Sequence, residues 1–173
     1  MVGKGEIKLR AIEKNDLELI QKWRNNPKLR KFFREYRDFS LLQINNWYEN
    51  MIQSKDFEMF IICSKDQPVG VTGLTYIDWT NRHADVHFYI GNNGSWIEDK
   101  ISPVALELIL SYGFNTLNLN KLWAEIYEID VLKTSFFKKR KFKQDALLRE
   151  HYYYEGKYYN SQILSLLKKD FDK

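Results

Sequence analysis

Residues 84–110 read ADVHFYIGNNGSWIEDKISPVALELIL and pass from a strand pattern through a loop into an apolar helix. The alternation over 84–91 has the period of two that is typical of a strand. The helix is predicted from about 102 to 114, and Pro103 suits its first turn, where the missing N–H is not needed. Free backbone N–H groups and the positive end of the helix dipole therefore meet at the loop, an arrangement that favours a bound phosphate.

The patterns on both sides of this segment predict an α+β fold. The strands at 84–91 and 121–129 are joined through a helix, so we expect them to be parallel neighbours. The other strands favour a mixed, mostly antiparallel central sheet of about seven strands flanked by about four helices. We predict strands at 6–12, 57–64, 68–78, 84–91, 121–129, 146–154 and 158–167, and helices that begin near 16, 40, 102 and 131.

The composition indicates one globular domain over residues 1–173, with 44% hydrophobic and 29% charged residues. The net charge of +4 suits an anionic ligand such as a nucleotide, but it does not argue for nucleic acid. One cysteine, Cys63, excludes an internal disulfide and a thiolate metal cluster. The first ten residues lack a signal-peptide core, and no apolar run approaches the ~20 residues of a membrane span. We therefore expect a cytoplasmic protein without a membrane partner.

The order of the elements resembles the GNAT (GCN5-related) acetyltransferase fold over nearly the whole chain. The branch that it resembles contains ribosomal-protein N-terminal acetyltransferases and the amino-sugar acetyltransferases of surface-polysaccharide and flagellin-sugar pathways. The segments that carry the resemblance are WRNNP (23–27), FREYRDFS (33–40), GLTYIDWTNRHADVHFYIG (73–91), LNLNKLWAEIYEID (117–130) and LLREHYYYEGKYYNSQILSLL (147–167).

The resemblance implies acetyl-coenzyme A as co-substrate and no metal. In the family, two parallel strands splay apart, pantetheine pairs with strand backbone, and the pyrophosphate lies on the N-terminus of the following helix. Here the splayed pair corresponds to 84–91 and 121–129. The residues that the resemblance places against the coenzyme are Tyr89, Ile90, Lys100, Ile101, Ser102, Asp130 and Phe137.

The helix start departs from the family pattern, which has glycines where this chain has Glu98 and Asp99. Carboxylates beside a pyrophosphate repel it, whereas Lys100 and a capping hydroxyl at Ser102 favour it. Two interpretations follow. Either both carboxylates turn to solvent and the N–H groups of residues 100–104 face the ligand, or the site has decayed and the protein is a catalytically silent binding module.

Acetyl transfer to an amine needs a group that takes a proton, and the resemblance implies Asp85 on the strand before the loop. The alternative is an ion pair with Arg82 or another basic neighbour. His87, on the same strand face, is a second candidate base, although a strand histidine is often only a packed polar residue. Phe137 stands where family members often have a tyrosine acid, and Asp130 stands where they have an asparagine. No spacing of histidines and Cys63 indicates a metal site.

The resemblance places the acceptor site between the first two helices and the final hairpin. The expected acceptor is a small-molecule amine, such as a nucleotide-linked amino sugar, or a protein N-terminus, and the protein is expected as a monomer or homodimer. For Trp23, packing of the helix face is the alternative to a role in binding. The candidate acceptor-binding residues are Trp23, Arg24, Asn25, Tyr36 and Arg37.

The basic run KKRKFK at 138–143 ends a short predicted helix, where cations suit the dipole. It could also contact the 3′-phosphate of coenzyme A. We do not expect it to bind nucleic acid.

Overall fold

The computed structural model of the chain describes residues 2–94 and 96–172, and every strand found there joins one sheet. The sheet has eight strands in the order β1-β2-β3-β4-β5-β6-β8-β7, and all neighbours are antiparallel except β5 and β6. The strands are β1 (Val2–Lys4), β2 (Ile7–Ala11), β3 (Glu58–Ser64), β4 (Gln67–Asp78), β5 (His83–Ile90), β6 (Lys121–Tyr127), β7 (Lys143–Tyr154) and β8 (Lys157–Leu167).

Six α-helices accompany the sheet in the described residues, two more than the sequence patterns indicate. Both additional helices have four residues, too few for an amphipathic pattern to show. None of the helices in the described ranges is both long and apolar enough to cross a membrane. The helices are α1 (Leu17–Arg24), α2 (Pro27–Arg30), α3 (Leu41–Gln53), α4 (Ser102–Ser111), α5 (Val131–Lys138) and α6 (Lys168–Phe171), and a π-helical turn (Tyr112–Thr116) extends α4.

The ends of the first helices follow local capping chemistry. Pro27 ends the pattern of α1, as predicted, and it does so by opening α2, whose Asn26 side chain accepts the Lys28 N–H. The predicted cap of the next helix is also found. Ser40 Oγ accepts the Gln43 N–H at 3.2 Å, and Gln43 Oε1 accepts the Ser40 N–H at 2.8 Å.

The sequence did not indicate β1, a three-residue edge strand on β2 that is too short to show alternation. The parallel pair that it did predict is confirmed and splays apart. Parallel pairing between β5 and β6 is limited to residues 83–85 against 121–123, yet β5 continues to Ile90 and β6 to Tyr127. The resulting gap, here called the wedge, opens immediately after Asp85.

The two faces of β5 meet different helices, which separates two sides of the wedge. Tyr89 packs edge-on against Trp23 of α1 and against Phe33. Phe88, on the opposite face, packs against Phe136 of α5, with ring centroids 5.8 Å apart. The predicted alternation along this strand is therefore what places one set of side chains toward α1 and the other toward α5.

Candidate active site

A cavity of about 290 Å³ lies beside the wedge, between β5, β6, α1 and the segment that follows α2. Aromatic rings form much of its wall. It also holds a histidine, three cations and three carboxylates, a polar set that is unusually dense for a small cavity. These polar side chains are Arg24, Arg34, Glu35, Asp85, His87, Glu125 and Lys133.

Asp85 lies where the wedge opens, buried and paired with a cation. Arg34 NH2 is 2.8 Å from Asp85 Oδ2, and Arg34 Nε is 3.2 Å from Glu125 Oε2. Burial raises the pKa of Asp85, and Arg34 works against this rise. Burial opposes the charge of Arg34, but the two carboxylates raise its pKa overall. The basic neighbour expected for Asp85 is therefore Arg34, whereas Arg82 instead donates to the carbonyl of Asn118.

His87 lies on the same face of β5 as Asp85 and also lines the cavity. Burial lowers its pKa well below the usual value of 6.5, and the cations Arg24, Lys133 and Arg34 lower it further. The imidazole is therefore neutral at physiological pH.

Arg24 enters the cavity from the last turn of α1. Its guanidinium carbon lies 3.9 Å from the centre of the Phe33 ring and 5.3 Å from that of Phe39. Asn25 holds Phe39 in place, because its amide donates to the Phe39 carbonyl at 2.9 Å and its oxygen accepts the Phe39 N–H at 2.8 Å. Asn25 thus positions an aromatic neighbour of Arg24 and does not itself line the cavity.

Lys133 reaches the cavity from α5 and is buried. Its ammonium lies 4.7 Å from the Trp96 ring centre, within cation–π distance. Burial lowers its pKa, and Asp130 and Asp85 work against this. Asp130 caps α5 by accepting the Lys133 N–H at 3.0 Å.

Trp96 connects the two sides of the wedge. Its backbone pairs with Ile90 at the end of β5, with N···O distances of 2.8 and 3.1 Å. Its indole Nε1 donates to Asp130 Oδ2 at 2.8 Å, beyond the end of β6. Trp96 therefore binds the backbone of Ile90 and the carboxylate of Asp130, two residues that were expected to contact the coenzyme. Its backbone φ of +56° is unusual for a bulky residue and costs about 1 kcal/mol or more.

At the start of α4, Glu98 does not turn to solvent, as one of the two interpretations expected, but binds backbone amides. Glu98 Oε2 accepts the N–H groups of Lys100 and Ile101, at 3.1 and 2.7 Å. Ser102 is not the cap but the first helical residue; it is fully buried, and its Oγ accepts the Glu98 N–H at 2.8 Å. Glu98 turns back onto the helix start because the two amides there have no partner within the helix and the helix dipole favours a nearby anion.

Three other expected residues lie away from the cavity. Trp23 is a core residue packed flat on Gly91, where an added Cβ would meet its ring at 2.2 Å. Tyr36 is 77% exposed. Arg37 is held on the surface by both oxygens of Glu35, and it lowers the pKa of Glu35 to about 2. Of the expected acceptor residues, only Arg24 lines the cavity.

Two expected coenzyme residues are buried. Tyr89 is 1% exposed and stacks with Trp96, with centroids 6.2 Å apart, and burial raises its pKa. Phe137 is fully buried against Phe136 and Phe142, so it is a core residue on the buried face of α5.

The final hairpin reaches the site through Tyr152. Its ring stacks on Tyr127 of β6 with centroids 3.8 Å apart, and Tyr127 lines the cavity. The Tyr152 hydroxyl donates to the Lys31 carbonyl at 2.5 Å. Hairpin, sheet and the segment after α2 are therefore joined at one end of the cavity.

Sequence reasoning missed several cavity residues: Arg34, Glu125, Lys133 and Trp96. Arg34 lies inside the FREYR segment, beside the expected Tyr36 and Arg37. Glu125 was detectable as a carboxylate in an otherwise largely apolar strand. Within the described ranges, no cluster of three or more histidine, cysteine, aspartate or glutamate side chains could hold a metal ion.

Comparison with known proteins places this geometry in a family. The profile of the "Acetyltransferase (GNAT) domain" family matches residues 6–143. The chain is 25% identical over 169 residues to p20 of Bacillus licheniformis, described as an uncharacterized N-acetyltransferase, covering 94% of this chain and 93% of that protein. It is 22% identical over 155 residues to the spermidine N(1)-acetyltransferase of Escherichia coli K12, covering 90% and 82%.

A solved structure agrees with the fold. The spermidine N-acetyltransferase of Vibrio cholerae, in complex with CoA and spermine, superimposes with a TM-score of 0.89 at 20% identity, covering 97% of this chain and 99% of that one. The protein therefore belongs to the GNAT acetyltransferase family, a class of acetyl-coenzyme A-dependent N-acyltransferases.

Proposed function

We propose that the protein transfers an acetyl group from acetyl-coenzyme A to the primary amine of a small molecule held in the cavity. Membership of the GNAT family supports the reaction class, and the size of the cavity, about 290 Å³, suits a small acceptor. The observation that carries the proposal is Asp85, a buried carboxylate with a raised pKa where the wedge meets the cavity.

Asp85 takes a proton from the acceptor ammonium, directly or through one water, because its side chain is short. The free amine then attacks the thioester carbonyl carbon, the nitrogen gives its second proton to water, the C–S bond breaks, and the coenzyme leaves as a thiolate. Phe137 is buried and cannot donate a proton, so the thiolate is protonated by water. The raised pKa of Asp85 makes it a stronger base than an exposed aspartate.

Arg34 holds Asp85 in place while sharing its charge with Glu125. His87 is the second candidate base, since its neutral imidazole can accept a proton, although burial lowers its pKa and so reduces its basicity. In this proposal, the coenzyme lies in the wedge between Tyr89–Ile90 and α5, and its diphosphate approaches the backbone of residues 100–102.

Asp85→Asn tests the proposal, with release of free thiol as the measurement. We expect kcat to fall by about 10²-fold or more, with little change in the KM of acetyl-coenzyme A, because Asn cannot take a proton. Asp66→Asn is the matched control, since Asp66 is exposed and paired with Lys8 at 2.7 Å. A wild-type kcat in Asp85→Asn, with the fold verified by circular dichroism, would exclude Asp85 as the base.

A catalytically silent protein is the alternative, and Glu98 on the α4 amides is the observation that favours it. It predicts no thiol release with any amine and no heat on titration with acetyl-coenzyme A. Thiol release that depends on an added amine would reject it.

A further inference from the structure

Arg24 is a cavity cation that forms no ion pair with any described residue. Its half-buried guanidinium lies against the Phe33 and Phe39 rings and forms no ion pair within residues 2–94 and 96–172. Burial lowers its pKa, with Tyr89 and Glu35 acting in the other direction. Rings offer a cation some attraction, but much less than a carboxylate or phosphate that accepts two parallel N–H bonds.

The carboxylates that line the cavity are already engaged elsewhere. Arg34 pairs with both Asp85 and Glu125. Arg37 binds Glu35 through both carboxylate oxygens, with donor–acceptor distances of 2.9 and 2.7 Å. None of these acids can turn to Arg24 without breaking an existing pair.

Lys133 adds a second buried positive charge to the same wall. Its ammonium contacts the Trp96 ring and forms no ion pair among the described residues. The carboxylates of the cavity are thus paired, whereas Arg24 and Lys133 form no ion pair among the described residues, although the cavity holds three groups of each sign. Desolvated charges without partners are costly, and a ligand that brings an anion recovers this cost.

We propose that the acceptor amine also carries an oxyanion, a carboxylate or a phosphate, which Arg24 binds while the amine faces Asp85. This inference rests on the proposed acetyl transfer and narrows its substrate class. The planar guanidinium matches the two oxygens of such a group, and the flanking rings hold its plane. An acceptor whose only charges are positive, such as spermidine, gains nothing from Arg24 and is repelled by it.

The first experiment compares matched amines by thiol release with acetyl-coenzyme A. The pairs are glucosamine 6-phosphate with glucosamine, O-phosphoethanolamine with ethanolamine, and β-alanine with propylamine, and spermidine is included. We expect the anionic member of at least one pair to exceed both its neutral partner and spermidine by about tenfold or more in kcat/KM. Preference within the phosphate or the carboxylate pairs identifies the oxyanion. Equal rates within every pair, or a preference for spermidine, would overturn the inference while leaving acetyl transfer intact.

The second experiment changes the cation. Arg24→Gln should lower kcat/KM for the anionic acceptor by about tenfold or more, mainly through KM, and leave the neutral partner nearly unchanged. The kcat/KM of Arg24→Lys for the anionic acceptor should fall between those of wild type and Arg24→Gln, because lysine keeps the charge but cannot form two parallel N–H bonds. Arg30→Gln is the control, since Arg30, the last residue of α2, pairs with Asp38 and does not line the cavity. A preference that survives Arg24→Gln would refute the role of Arg24.

A binding measurement separates this inference from the proposed reaction. Thermal unfolding with a saturating amine should show stabilisation by the anionic member of the preferred pair, and Arg24→Gln should abolish it. Such a result without thiol release would reject the reaction and keep the anion site. If thiol is released but the anionic amines neither stabilise the protein nor react faster than their neutral partners, the anion site alone would be rejected.

Discussion

At the scale of single residues, the site depends on charges whose neighbours are far apart in sequence. Asp85 and Glu125 share Arg34, and these residues come from two strands and from the segment after α2. The carboxylate at position 85 could be selected from sequence because the resemblance assigned it a role. Its partner could not, since no local pattern joins Arg34 to a strand about fifty residues later.

His87 makes stability depend on pH. Its pKa is lower in the folded chain than the usual 6.5, so the unfolded chain binds the proton more readily. Stability contributed by neutral His87 is therefore present above about pH 6.5 and is lost as pH falls toward its folded pKa. We expect the free energy of unfolding to drop between pH 7 and 5.5 by up to about 1.4 kcal/mol per pH unit from this group.

Urea unfolding of His87→Gln across that range measures the effect. The variant should lose this part of the pH slope, whereas His151→Gln, at a half-exposed side chain, should keep it. Identical slopes in wild type and His87→Gln would show that His87 is not the group that titrates.

At the scale of elements, residues 95–103 before and at the start of α4 contain no glycine, and one of their own side chains occupies the expected anion site. The loop carries its own carboxylate onto the amides of Lys100 and Ile101. The same loop places Trp96 across the wedge, between Ile90 and Asp130. The sequence indicated that Glu98 departs from the family pattern, but it could not show that the side chain folds back.

Glu98→Ala should strengthen the binding of acetyl-coenzyme A, because the diphosphate no longer competes with an internal anion for these amides. We expect Kd by calorimetry to fall by about tenfold, the size of one charge-assisted hydrogen bond. Asp99→Ala removes an equal charge from an exposed neighbour that accepts no such bond from a described residue, so a change of about twofold at most is expected. Equal effects of the two variants would attribute the gain to charge alone, and weaker binding by Glu98→Ala would contradict the prediction.

At the scale of the whole molecule, α1 packs closely on the end of β5. Trp23 lies on Gly91, just beyond the end of β5, and its ring leaves no room for a side chain there. Arg24, the residue that follows Trp23 in α1, lines the cavity. Gly91 has no positive φ and is required instead by the close approach of a helix.

Gly91→Ala should destabilise the fold by about 1–3 kcal/mol, because the added methyl would lie 2.2 Å from Trp23 ring atoms. The free energy of unfolding in urea measures this cost. In a Trp23→Leu background the same substitution should cost much less, since a smaller side chain leaves room. An equal cost in both backgrounds would mean that the strain arises elsewhere.

Local chemistry in the sequence determined most of the elements, the Ser40 cap, the parallel pair around the helix and the family. Period and turn signals act over a few residues, so a single sequence carries them. The tertiary structure alone decided which side chains share the cavity, that Glu98 and Trp96 fold into the coenzyme region, and that Trp23 belongs to the core. These outcomes depend on competition between distant groups for the same amides, charges and space, and that competition takes place only after the sheet has assembled.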